Sequence, residues 1–75
     1  MTLAQADMKK PSRILGFDKL SEVEELRLSA LGLAPGSVIT KLLRTPLRDP
    51  IECLAGPQLL TLDSWLLERI LVEPS

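Results

Sequence analysis

Histidine is absent from this 75-residue chain, cysteine occurs once, and aromatic side chains make up only 3% of it. Without His the commonest general base and metal ligand is missing, and one thiolate cannot build a metal cluster. Neither acid–base catalysis nor an iron site held within one chain is expected, and no cofactor is called for. The lone Cys53 cannot close an internal disulfide, which favours a reducing compartment. Lys plus Arg number 9 against 10 Asp plus Glu, a formal charge of −1. That supplies no field to draw in nucleic acid or an anionic membrane surface. No apolar run approaches the roughly 20 residues that cross a bilayer, and Met1 to Pro11 lacks the unbroken apolar stretch of a signal peptide. No Gly-rich loop precedes a Lys and a hydroxyl residue, as phosphate cradling requires, and no Ser sits in a nucleophile motif. The exclusions leave a non-enzymatic cytoplasmic protein that does not insert into a membrane.

What is present is aliphatic. Hydrophobic residues reach 45%, so the core is built from Leu, Ile and Val, with Phe17 and Trp65 the two large rings. The length suits one domain with a thin margin of stability. Residues 1–12 show no clear period and read as an N-terminal tail, loosely ordered or draped over a domain that occupies residues 13–75. Arg13 to Phe17 reads as a first strand, with Gly16 marking a bend or bulge. Ser21-Glu22-Val23-Glu24 has the capping-box pattern, in which hydroxyl and carboxylate exchange bonds with each other's backbone amides, so a helix starts there. Val23, Leu26 and Ala30, with Leu31 beside them, form its apolar face, while Glu22, Glu25 and Ser29 lie mostly elsewhere. Gly32 supplies the left-handed residue that stops the helix, Leu33 folds back onto the last turn, and Pro35-Gly36 makes a type II turn.

Ser37 to Arg44 reads as a strand with neither face clean, since Lys41 sits in phase with Ile39 and Leu43. A small barrel produces that ambiguity. Pro46 and Pro50 bracket a loop, Ile51 to Leu54 resumes as a strand, Gly56-Pro57 turns the chain, and Gln58 to Leu62 follows. Asp63 or Ser64 caps a short helix through about Arg69, with Leu66 and Ile70 as its core stripe and Trp65 off it. Ile70 to Glu73 is the last strand. The sum is mainly β with one or two helices (α+β): a barrel of about five strands with a helix between the first two.

Three pieces carry a resemblance to a known family. They are Arg27-Leu28 followed by Leu31-Gly32-Leu33-Ala34-Pro35-Gly36, then Pro46-Leu47-Arg48-Asp49-Pro50-Ile51, then Leu60-x-Leu62 leading to Ile70-x-Val72. In order and spacing the chain resembles the FeoA family from roughly Ile14 to Val72. The resemblance implies an SH3-like barrel, a cytoplasmic location at the inner face of the membrane, and work as an accessory of ferrous iron uptake. The implied partner is the cytoplasmic part of a FeoB-type transporter. Two positions depart from the family pattern: Arg48 stands where the loop usually carries Gly, and Lys41 where a strand residue is usually apolar.

The residues expected to meet a partner are Arg44, Leu47, Arg48 and Asp49 on the proline-bracketed loop, together with Trp65. Prolines restrict that loop beforehand, so docking loses less entropy. Leu31, Gly32, Leu33, Pro35, Gly36, Pro46 and Pro50 are assigned to backbone geometry, and Cys53 to a buried thiol. The carboxylates Glu22, Glu24 and Glu25 are assigned to capping and to the helix dipole. An alternative is a metal-responsive module like the C-terminal SH3-like domain of iron-dependent repressors. Such modules normally accompany a DNA-binding helix-turn-helix, for which these 75 residues leave no room. An RNA-binding barrel would need a basic face and stacking aromatics, which this sequence lacks.

Overall fold

The structure, a computed structural model, describes residues 1–44 and 49–75, with Arg44 described by its backbone alone. Five antiparallel strands form one sheet: β1 (Pro11–Phe17), β2 (Val38–Arg44), β3 (Ile51–Ala55), β4 (Gln58–Leu62) and β5 (Ile70–Pro74). Their order across the sheet is β4-β3-β2-β1-β5. Helix α1 (Glu22–Ala30) joins β1 to β2, and the single turn α2 (Ser64–Leu67) joins β4 to β5. Register shifts between Ile14 and Gly16 in β1 and between Lys41 and Leu43 in β2 interrupt two of the three inner strands. Bulges of this kind add twist and bend a sheet over its own face. The first falls where Gly16 signals it.

The inner face alternates as a pleat requires. Ile14, Ile39, Ile51, Cys53, Ala55, Leu62, Ile70 and Val72 are buried from all five strands, and Leu3, Ala6, Leu28, Leu33 and Leu67 complete the cluster. The bulge in β2 decides which side chains go in. Ile39 and Lys41 point into the protein, but beyond the shift Leu43 is exposed.

Helix α1 begins and ends as its sequence dictates. Ser21 Oγ accepts from the Glu24 amide at 3.2 Å, and Glu24 Oε1 accepts from the Ser21 amide at 3.0 Å. At the other end Gly32 (φ +85°) donates to Ser29 O and Leu33 donates to Leu28 O, the paired bonds of a Schellman cap. The Pro35-Gly36 turn closes with Ser37 donating to Ala34 O, and Gly36 has the positive φ that position needs. The expected apolar face, however, is not the buried one. Leu28 is the buried residue of α1, while Val23 and Leu26 are 58% and 70% exposed. The cap explains the difference: it lays Leu28 over the buried Leu33, and that rotation turns Val23 and Leu26 outward.

Of residues 1–12, read as a tail, the last two already belong to β1, which begins at Pro11, two residues before the expected strand, and the segment ahead of them packs on the domain. A 3-10 turn at Leu3–Gln5 packs against α2 and β5, and Leu3 is 1% exposed. Val72 donates to Met1 O, and Thr2 bridges Leu71. The same segment makes Lys41 tolerable inside. Lys41 is 3% exposed, and its Nζ donates to Ala4 O at 3.3 Å while its own carbonyl accepts from Lys9 N at 2.6 Å. A buried ammonium needs such acceptors, because an unmade bond to a charged group is expensive.

Burial of Leu3 predicts that Leu3→Ala, measured by urea denaturation, costs about 2–4 kcal/mol, the usual range for a core leucine. Substitution of the neighbouring exposed Ala4 by Ser should cost no more than about 0.5 kcal/mol.

Candidate functional site

Helices α1 and α2 border a common depression. Between them Glu24, Arg27 and Leu28 of α1 meet Trp65 and Leu66 of α2 around a shallow depression of about 160 Å³. Trp65 is half-exposed at its rim, off the buried side of α2 as its spacing predicts. The buried residue of that turn is Leu67, not the expected Leu66, which is partly buried. The reason is that α2 stops after one turn and Ile70 already belongs to β5, so no helical stripe runs from Leu66 to Ile70.

Asp49 was read as part of a presented loop. Its carboxylate accepts from the Ser64 amide at 2.9 Å through Oδ1 and from the Ser64 hydroxyl at 3.2 Å through Oδ2. Asp63 occupies the N-cap position of α2 but makes no side-chain cap bond, so Asp49 supplies the cap from across the fold. This ties the end of the loop to the residue before Trp65 and brings two of the expected site residues together. Arg44 closes β2 opposite Ile51. Its side chain, along with Pro46, Leu47 and Arg48, lies outside the described residues. Of the residues assigned to backbone geometry, Leu31 stands at the C-cap of α1, Gly32 and Gly36 have positive φ, and Leu33 is fully buried. Pro35 sits in the turn, and Pro50 follows a cis peptide bond.

Chemistry in the interior is quiet. Cys53 is fully buried opposite Lys41, and burial pushes its thiol from the ordinary 9.0 up to about 11, with the Lys41 charge opposing that rise and Glu52 adding to it. The thiol's contact is with Ile51 O at 3.8 Å. At the start of α1 the Ser21 amide and hydroxyl hold the exposed Glu24 carboxyl below its usual range. Among the described residues no three of His, Cys, Asp and Glu gather where they could hold a metal ion. Nor is any described helix long and apolar enough to cross a membrane.

A short five-stranded antiparallel sheet, bent by bulges around one core and stoppered by small helices, is an SH3-like barrel. Among solved structures the chain is similar to the FeoA protein of Chlorobium tepidum, at 28% identity and a TM-score of 0.88, over 99% of this chain and 70% of that one. It is similar to iron(II) transport protein A of Clostridium thermocellum at 32% identity and a TM-score of 0.84, covering 99% of this chain and 45% of that one. The zinc-complexed FeoA of Stenotrophomonas maltophilia, described as a prokaryotic SH3 domain protein, shares the fold at 20% identity and a TM-score of 0.79, over 97% and 89% of the two chains. No curated protein matches. A model of the FeoA domain matches residues 1–74, and the chain belongs to the FeoA family. That match takes in the N-terminal segment along with the strands.

Two outcomes follow from the geometry. Asp49→Ala removes both bonds to Ser64 and should cost about 1 kcal/mol, the usual value of a lost helix cap, in thermal or urea unfolding. The second concerns Cys53, whose neutral form is favoured by folding. Its contribution to stability is complete below pH 9.0 and is lost as pH rises from there to about 11, because the unfolded thiol ionises first. Stability should therefore fall by roughly 1 kcal/mol between about pH 8 and about pH 10, and Cys53→Ala should flatten that slope.

Proposed function

We propose that this protein is an accessory of ferrous iron transport that acts by docking on the cytoplasmic part of a FeoB-type transporter, and that it has no catalytic activity of its own. Membership of the FeoA family carries the reading. The relative at 32% identity is an iron(II) transport protein, and the S. maltophilia protein has been put forward as an activating factor for that transport. The surface at the helical end supports a binding role. Trp65 offers a large ring at low entropic cost beside Leu66 and the Glu24–Arg27 pair of charges, and exposed aromatics of this kind anchor interfaces. Asp49, next to Leu47 and Arg48 in sequence, is itself bonded to Ser64, the residue before that anchor. The docking surface is thus the loop and the Trp65 end together, in the cytoplasm at the membrane's inner face.

The test is binding of the purified chain to the full transporter in lipid nanodiscs, with and without guanine nucleotide and ferrous iron. Saturable association is expected. Trp65→Ala should weaken it by about tenfold, roughly 1.4 kcal/mol, while changing the chain's own stability by less than about 1 kcal/mol. Absence of association under every nucleotide and iron condition overturns the reading.

A further inference from the structure

A second recess lies away from the Trp65 depression, on the other side of α1. It is an open groove of about 350 Å³ between α1, the end of β1 and the Pro35 turn. Phe17, Leu26 and Pro35 supply its apolar surface, and Glu22, Glu25 and Ser29 its polar edge. Positions 22, 25, 26 and 29 follow one another at helical spacing, so these four side chains form a single stripe about 10 Å long, two turns of α1. Among the described residues Leu26 is the most exposed large apolar side chain at 70%, and Val23 stands one turn before it. A single exposed leucine is ordinary. A leucine bordering a groove floored by a phenylalanine and a proline is an unfilled contact.

Charge decides what fills it. The lining contains two carboxylates and no Lys or Arg. The ion pairs among the described residues are Lys10–Asp7 and Arg13–Glu73, so Glu22 and Glu25 are not neutralised there. An acidic peptide or an anionic membrane would face like charges across the groove. We propose that the Phe17–Leu26–Pro35 groove receives a segment of a partner protein in which one or two apolar side chains are flanked by Lys or Arg. The apolar residue packs against Phe17 and Leu26, and the flanking cations meet Glu22 and Glu25. The inference rests on the reading of this chain as a docking module and adds to it a separate surface with a defined occupant.

The experiment is a titration of the isotope-labelled chain, followed by amide chemical shifts. The probe is a peptide of about 12 residues made of Leu and Lys, compared with a counterpart of the same pattern in which Glu replaces Lys. The Lys peptide should shift Phe17 and residues 22–29, and its affinity should fall about fivefold or more between about 50 and about 300 mM salt, as exposed charge pairs do. Leu26→Gln should abolish the shifts. Because Glu22 and Glu25 are exposed, the double variant Glu22→Gln/Glu25→Gln should stay folded and bind the Lys peptide at least about fivefold more weakly. Equal binding of the Glu peptide, shifts centred on Trp65 or on the strands, or self-association of the chain that the double variant abolishes would each overturn the proposal. If the double variant still binds the transporter normally and ignores the Lys peptide's charge, the groove inference falls alone. If the transporter does not bind the unaltered chain at all, it is the docking role that falls.

Discussion

Leu28 is the side chain through which α1 is held to the barrel, and the Schellman cap that positions it depends on the positive φ of Gly32. With a side chain at position 32 the left-handed turn would be strained, and Leu33 could not swing under the helix to meet Leu28. Everything at the helical end follows from that one rotation. It sets Glu24 and Arg27 beside Trp65, it leads the chain into the Pro35-Gly36 turn and β2, and it leaves Leu26 and Val23 facing out. A nine-residue helix anchored at one point would be marginal alone. Its capping box and the acidic residues of its first turn supply the local support that burial does not.

The barrel itself is completed from a distance in sequence. A domain this small has too little interior to leave any of its seam open. The first six residues close it, with Leu3 and Ala6 entering the core and the Ala4 carbonyl receiving the Lys41 ammonium. The N-terminal segment and Lys41 are therefore one structural unit: the lysine is tolerated inside because the segment is there, and the segment is tied down partly by the lysine. A buried, hydrogen-bonded polar contact of this kind adds little net stability but fixes one arrangement over others. Among the described residues, the exposed large apolar side chains of the two helices are Val23 and Leu26 of α1 and Trp65 of α2.

Local features were legible in the sequence. Ser21 and Glu24 marked the start of α1, Gly32 its end, Gly16 the bulge, and Pro35-Gly36 and Gly56-Pro57 the turns, because each signal acts within a few residues. Long-range features were not. Leu3 and Ala6 are two apolar residues in a segment with no period, and their partners lie on β5, α2 and β2. Lys41 looked like a defect in a strand because its acceptor is 37 residues away in sequence. The apolar face of α1 was misread for a related reason: periodicity reports that Val23 and Leu26 share a side, and the cap, not the period, decides which side turns inward. Asp49 shows the limit for sites. Its position before Pro50 was visible, but its bonds to Ser64 join residues 15 apart in sequence, beyond the reach of any local pattern.

The central claim is that the barrel uses one face of α1 for anchoring and leaves the opposite apolar face free for others. Comparing the unfolding free energies of Leu28→Ala and Leu26→Ala tests it most directly. The account predicts a loss of about 2–4 kcal/mol for Leu28→Ala and no more than about 0.5 kcal/mol for Leu26→Ala. A Leu26→Ala loss equal to that of Leu28→Ala would contradict it, since Leu26 would then be part of the fold's own core.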